Sequence, residues 1–242
     1  MEMHAVRLGI VNPPQDDLLA KIKESPLSLQ EGDCVAVSSK VVAIWQGRCV
    51  LRDTDKEELI KKEADLYLDE PMKHGVLHTI KNGLVIANAG IDPLGEWYVL
   101  LPQKPQEAAE QLLEWFKKEY GVSDLKLIIT DSRSVFLRQG AVGIAVAWAG
   151  FPPLYDNRNR LDLLGAKSGG TQTNLPDSLA AAATLAMGEA NEQTPLALIR
   201  GVSYVDTPKA SPDRFELSPA EDLYAPLLQS PKWKKGGGGI PL

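Results

Sequence analysis

Apolar residues gather in short runs along this chain, and several runs stop in small and polar residues where a glycine or proline turn would be expected. Residues 4–11 read as a first strand. Asp16 and Asp17 then open a short helix through about Lys23, with acids placed well against the helix dipole. Gly32-Asp33 is a turn, and Cys34 to Ile44 reads as a strand interrupted by Ser38-Ser39-Lys40. Residues 53–70 are charged and helical in pattern. LVIANAGID, residues 84–92, reads as a strand ending in small and polar residues.

PQEAAEQLLEWFKKEYG, residues 105–121, is the clearest helix: Ala109, Leu112, Leu113, Phe116 and Tyr120 recur at three- and four-residue spacing, and Gly121 suits its end. Apolar strands follow at 125–130 and 142–150, then a loop-rich stretch at 151–176. Residues 176–188 form a helix with proline in its first turn and an alanine run that lets another backbone come close. LALIRG, residues 196–201, is a last core strand, and KWKKGGGGIPL reads as a flexible tail or a terminal arm. Strands outnumber helices and do not alternate with them, which argues against a doubly wound sheet. The expected class is α+β, with mixed, largely antiparallel sheets and flanking helices.

Composition narrows the function. The 242 residues allow one large domain or two small ones, and 44% hydrophobic with 24% charged residues is the balance of a folded globular protein. A formal net charge of -6 argues against broad nucleic-acid binding, which needs a basic face. An anionic small molecule remains compatible, because a metal ion can supply positive charge locally. The two cysteines, Cys34 and Cys49, sit in apolar settings and read as buried thiols. Three scattered histidines are too few for a zinc cluster, and His74 and His78 read as solvated. With no signal-peptide pattern and no membrane-length apolar run, a soluble cytoplasmic protein is expected.

The candidate chemistry lies at the ends of the apolar runs, where rigid elements can present side chains to a shared cleft. Asp92, Asp131 and Glu189 together would make a hard oxygen site, and Ser132 would add a hydroxyl; such donors suit Mg2+ or Mn2+ beside phosphate oxygens. Lys40 and Arg138 would offset phosphate charge. Taken singly, each acid is better read as a turn former or helix cap, while Ser38 and Ser39 also suit an edge strand and Arg138 a surface charge. The alanine helix reads as packing. There is no GxxxxGK[ST] loop and no GxGxxG after a strand.

Four strings carry a family likeness: VSSKVVAIWQGR (37–48), ANAGID (87–92), IITDSRSVFLRQGAVGIAVAWAGFPPL (128–154) and DSLAAAATLAMGEANEQTPLALIRG (177–201). In this order, over about residues 5 to 205, they resemble the γ-glutamyl ligases of the deazaflavin coenzyme F-420. TDSR, LR.G, AGF and MGE..EQTP are most similar to the subgroup of γ-glutamate ligases assigned to folate metabolism. The resemblance implies a single ligase-like domain over residues 1–225, open to division into two subdomains, before a tail at 226–242. It also implies an intertwined homodimer. The implied chemistry joins L-glutamate to a cofactor carboxylate, folate ahead of the deazaflavin, using GTP or ATP and Mg2+ or Mn2+ at two sites. The acceptor carboxylate attacks the γ-phosphate, and the glutamate amine then displaces phosphate from the acyl phosphate.

Carried over residue by residue, Asp92, Asp131, Ser132 and Glu189 resemble metal ligands. Ser39 and Lys40 resemble nucleotide contacts. Met187, Gly188, Glu189, Ala190, Asn191, Glu192, Gln193 and Thr194 resemble a nucleotide-binding loop. Asp131 and Arg138 take the catalytic positions. The chain departs from the pattern at Ile44, where a second lysine is usual, at Pro93-Leu94-Gly95, at Ser134-Val135-Phe136, and between Asp156 and Asp162, where a glycine is lost. These departures leave open a nucleotide- or cofactor-binding protein without turnover, and a different amide ligase or phosphotransferase. Trp45, Trp97, Tyr98 and Trp148 suit either a cofactor cleft or the core.

Overall fold

The computed structural model describes residues 1–70, 75–158, 160–166, 171–202 and 215–239. His74, Asn159, Gly169-Gly170 and the last residues of the tail lie outside them. The first half of the chain forms β1 (Glu2–Val6), α1 (Leu18–Glu24), β2 (Cys34–Ser38), α2 (Ser39–Trp45), β3 (Cys49–Leu51), α3 (Lys56–Glu63), β4 (Leu66–Leu68), β5 (His78–Lys81), β6 (Leu84–Ala87), β7 (Asp92–Leu94) and β8 (Trp97–Val99). The second half forms α4 (Pro105–Tyr120), β9 (Lys126–Ser134), β10 (Ala141–Ala149), β11 (Leu154–Asp156), β12 (Gln172–Asn174), α5 (Leu175–Met187), β13 (Leu196–Arg200), α6 (Ala225–Gln229) and β14 (Trp233–Lys235).

The central sheet has the order β1-β13-β2-β9-β10. Its β2–β9 pair is parallel and its other pairs are antiparallel. Side chains alternate across it. Val35, Val37, Leu127 and Ile129 face one core with Leu112 and Phe116 of α4, while Ala36 and Ile128 face the other with Ala180 and Ala183 of α5. Burial on both faces explains why these strands read as unbroken apolar runs. Smaller sheets, β14-β4-β5-β6 and β3-β8-β7, flank this layer. The expected α+β class with mostly antiparallel pairing is what the chain adopts.

Several boundaries differ from the sequence reading. Cys34 to Ile44 is not one strand: β2 ends at Ser38, which takes the extended backbone of a helix N-cap, and α2 starts at Ser39. Val41, Val42, Ala43 and Ile44 are all buried, so tertiary packing overrides the strand preference of the valines. The first strand stops at Val6, short of residue 11. Only Lys56–Glu63 of residues 53–70 is helical; Asp55 caps it through the Glu57 and Glu58 amides, and Leu66–Leu68 is a strand. The loop-rich stretch at 151–176 contains the β11–β12 hairpin.

The expected strand at 84–92 breaks after Ala87 into a turn in which Asn88, Ala89 and Gly90 all have positive φ (53°, 54° and 73°). A β-carbon on Gly90 would lie 2.6 Å from Leu101 Cγ, so a side chain has no room there. This turn delivers Asp92 to the start of β7.

The C-terminal segment forms an arm. β14 pairs with β4, and the amides of Gly236, Gly237, Gly238 and Gly239 donate to the carbonyls of Asp65, Lys61, Ala64 and Lys62 at 2.8–3.1 Å. The glycines thereby satisfy carbonyls that the end of α3 leaves open. A β-carbon at Gly236 would stand 2.1 Å from the Ala64 carbonyl oxygen, and one at Gly237 2.3 Å from that of Lys62.

Candidate functional site

A cavity of about 780 Å³ opens where β2 ends beside β9. The parallel register pairs Ser38 with Thr130. The chains then diverge: Ser39 starts α2 while Asp131 continues β9. Ser39 Oγ donates to Asp131 Oδ2 at 3.0 Å, and the Ser132 amide donates to Oδ1 at 2.7 Å. Lys40 Nζ lies 3.0 Å from Asp92 Oδ2. Burial is the main force raising the Asp131 carboxyl to about 6, and the negative charge of Asp92 adds to it. The Ser132 and Ser39 hydrogen bonds and the Lys40 charge pull the other way.

The far wall is the loop after α5. Gly188 ends the helix with φ 77°, the Thr194 hydroxyl donates to the Met187 carbonyl at 2.5 Å, and the Ala190 amide donates to Glu192 Oε2 at 2.9 Å. Arg7 and the Leu8 amide hold Gln193. All eight residues from Met187 to Thr194 line the cavity, together with Ser39, Lys40, Asp92, Asp131 and Ser132.

The sequence-predicted set is therefore gathered, with two qualifications of position. Arg138 is exposed in the β9–β10 turn and does not line the cavity. Glu189 lines it but is exposed, and among the described residues no three carboxylate, imidazole or thiol groups converge as a metal cluster. The groups that do meet are a desolvated carboxylate, a second carboxylate close enough to perturb it, and the Ser39 hydroxyl bonded to the first, with Ser132 next to it on the cavity wall. That set fits a hard divalent cation completed by water and phosphate oxygens. Asp92, Asp131 and Ser132 would hold it.

Of the four aromatic candidates, Trp97 lines the cavity, whereas Tyr98 is buried, Trp45 packs on the main core and Trp148 stacks edge-on against Phe215. Ile44 is buried at the cavity wall, so the place of the family's second lysine is apolar here. The sequence reading missed the segment from Gly9 to Val11 and missed Thr184, which also line the cavity. The N-terminal segment carries no polar signal, and Thr184 is hidden inside a run of alanines. Cys34 and Cys49 are free and buried, as expected. Among the described residues no helix is long and apolar enough to cross a membrane.

The fold and site together define an α+β protein with a cleft of carboxylate, hydroxyl and ammonium groups at the ends of its central strands. Residues 5–201 match the family model for F420-0:gamma-glutamyl ligase, and the chain belongs to that family. The coenzyme F420:L-glutamate ligase of Methanopyrus kandleri is 33% identical over 87% of this chain and 92% of its own length. The enzymes of that name from Methanocaldococcus jannaschii and Methanothermobacter thermautotrophicus are 31% and 30% identical, over 72% and 76% of this chain and 78% and 81% of theirs.

Proposed function

We propose that this protein is a nucleoside triphosphate- and divalent metal-dependent ligase that adds γ-linked L-glutamate to a cofactor carboxylate. The observation that carries the reading is the facing of the part-buried Asp131 carboxylate and Asp92, with Ser39 and Lys40 beside them, in one cleft with the loop from Met187 to Thr194. A divalent cation held by Asp92, Asp131 and Ser132 would supply charge neutralisation at the phosphate chain. Ser39 orients Asp131 by its hydrogen bond, and Lys40 can exchange Asp92 for a phosphate oxygen. The loop at 188–194 would close over the nucleotide. The acceptor carboxylate oxygen forms a bond to the γ-phosphorus as the bond to the nucleoside diphosphate breaks. The glutamate nitrogen then bonds to the acyl carbon and inorganic phosphate leaves.

Two acceptors follow from different observations. The relatives' names bring forward the deazaflavin coenzyme F420. The TDSR, LRQG, AGF and MGEANEQTP strings support a folate. Trp97 offers either ring system a stacking surface at the cleft. The test is mass spectrometry of products after incubation with glutamate, Mg2+ or Mn2+, GTP or ATP, and each acceptor separately. A gain of a glutamyl residue names the substrate. No gain on either acceptor, with metal-dependent nucleotide binding retained, would replace the ligase with a binding protein.

A homodimer belongs to the same reading. Phe136 and Leu137 in the β9–β10 turn are 68% and 100% exposed, and Leu163 and Leu164 are fully or almost fully so. Such apolar surface favours a second copy. On this arrangement Arg138, in the same turn, serves the cleft of the partner. Light scattering that gives the mass of a single chain would remove both statements.

A further inference from the structure

We infer that Glu192 is a positioning residue of this cleft, whose carboxylate holds the tip of the loop from Met187 to Thr194 in the shape that receives the nucleoside triphosphate; the inference rests on the ligase reading above. Glu192 is exposed, yet its carboxylate turns back onto its own loop, where Oε2 accepts from the Ala190 amide at 2.9 Å. A β-carbon on Gly188 would lie 2.4 Å from Glu192 Cδ and 2.7 Å from each carboxylate oxygen. The carboxylate thus fills the place where any other residue at 188 would carry its side chain. Gly188 also has φ 77° and ψ 168°, a backbone region that is essentially glycine's alone. The sharp exit from α5 and the inward carboxylate form one device.

The rest of the loop is anchored elsewhere. The Gly188 amide donates to the Thr184 carbonyl at 3.0 Å and the Thr194 hydroxyl to the Met187 carbonyl at 2.5 Å, which closes the loop at its base. Gln193 has φ 61°, which is uncommon for a residue with a side chain, and the N-terminal segment grips it. Arg7 Nη2 donates to its Oε1 at 3.1 Å and the Leu8 amide to its carbonyl at 3.0 Å. The Ser38 amide donates to the Pro195 carbonyl at 2.8 Å, which ties the loop to the end of β2. Between these anchors lies the tip, Glu189, Ala190 and Asn191, all of it on the cavity wall. The Glu192 carboxylate ties that tip back. Charge alone does not favour its placement, since an anion beside the C-terminal end of a helix opposes the dipole and a triphosphate repels a carboxylate presented to it. Turned onto the Ala190 amide, the carboxylate fixes backbone instead. A tip that is already ordered loses less conformational freedom when nucleotide binds.

The experiment compares the full chain with Glu192→Gln, whose amide oxygen can still accept from Ala190, and Glu192→Ala, which cannot. GTP and ATP binding with Mg2+ is measured by calorimetry, alongside the nucleotide KM, kcat and the Mg2+ concentration that gives half the maximal rate. Glu192→Ala should weaken nucleotide binding by about tenfold and raise the nucleotide KM to match, with kcat and the Mg2+ requirement little changed. Glu192→Gln should bind within about threefold of the parent chain. Gly188→Ala should lose less nucleotide affinity in the Glu192→Ala background than in the parent, because the space its β-carbon needs is then empty while the backbone strain is the same in both. A glutamine variant that binds as weakly as the alanine variant, or that needs more Mg2+, would show the charge acting on metal and overturns the inference. Equal losses from Gly188→Ala in the two backgrounds also overturn it. A parent chain that binds neither nucleotide removes the ligase reading and this inference together, whereas a parent that binds and an alanine variant that binds equally removes the inference alone.

Discussion

Ser39 and Asp131 are the residues that follow the last parallel pair of the central sheet, Ser38 and Thr130, and their side chains are joined by a 3.0 Å hydrogen bond. One belongs to a helix and the other to a strand, 92 positions apart in sequence. The sheet register makes them neighbours. The bond orients a carboxylate that burial alone would prefer to protonate.

Replacing Asp131 with Asn should abolish turnover, by more than about a hundredfold, without unfolding the protein. The folded-state value of about 6 lies above that of a free carboxyl, so the ionised form costs stability from the unfolded value upward, and a neutral amide removes that cost. Product assays and a thermal melt on the same sample check both halves. Full activity in the variant would exclude Asp131 from the metal and phosphate site.

Lys40 is paired with Asp92 at the cleft. Lys40→Met should weaken GTP or ATP binding by about tenfold, since one charge-assisted contact to phosphate is lost. Its effect on Tm should be small, because the pair is partly exposed. Nucleotide titration distinguishes this from a purely structural pair, for which affinity would not move.

Arg48 and Glu63 form a buried pair at 2.7 Å, with both side chains at most 5% exposed. Arg48→Met leaves a carboxylate inside the protein and should cost about 3–5 kcal/mol. The double change Arg48→Met with Glu63→Leu should recover much of the loss. Urea unfolding of the three chains checks this; equal stability of the single and double variants would contradict it.

The arm across α3 makes its own prediction. Gly237→Val drives a side chain into the Lys62 backbone, where a β-carbon alone would already lie 2.3 Å from the carbonyl oxygen. The segment should detach from α3 and lose about 1–3 kcal/mol of stability. Lys81, whose ammonium donates to the Gly238 carbonyl at 2.8 Å, then becomes accessible. Limited proteolysis should cut the variant at the arm and leave the parent intact.

Burial pushes the Cys34 thiol up to about 12 and the Cys49 thiol up to about 11. The thiolate is the reactive form, so at pH 8 neither should react with a thiol reagent while the chain is folded. Unfolding in denaturant should release two reactive thiols per chain. Fast labelling of the native protein would contradict the burial.

The long helix from Pro105, the paired apolar strands and the proline-led alanine helix were legible because each repeats a local pattern over many residues. The polar ends of the apolar runs also marked the cleft: Ser39, Lys40, Asp92, Asp131 and the loop at 187–194 are all found there. What the sequence by itself determined is thus the order of the elements and the chemical types at their ends, since periodicity and composition are properties of a segment. Tertiary structure alone decided the rest. Cys34 to Ile44 splits at Ser38 because burial, and not the preference of its valines, sets the backbone of Val41 and Val42. Asn88 and Ala89 hold positive φ in a turn tied to neighbouring chain: the Asn88 amide donates to the Leu77 carbonyl and the Ala89 amide to Thr79 Oγ1, both at 2.8 Å. Arg138 was expected at phosphate and stands outside its own cleft, because the β9–β10 turn carries it away from the end of the sheet. Contacts between residues far apart in the chain leave no trace in local spacing, and those contacts build the site.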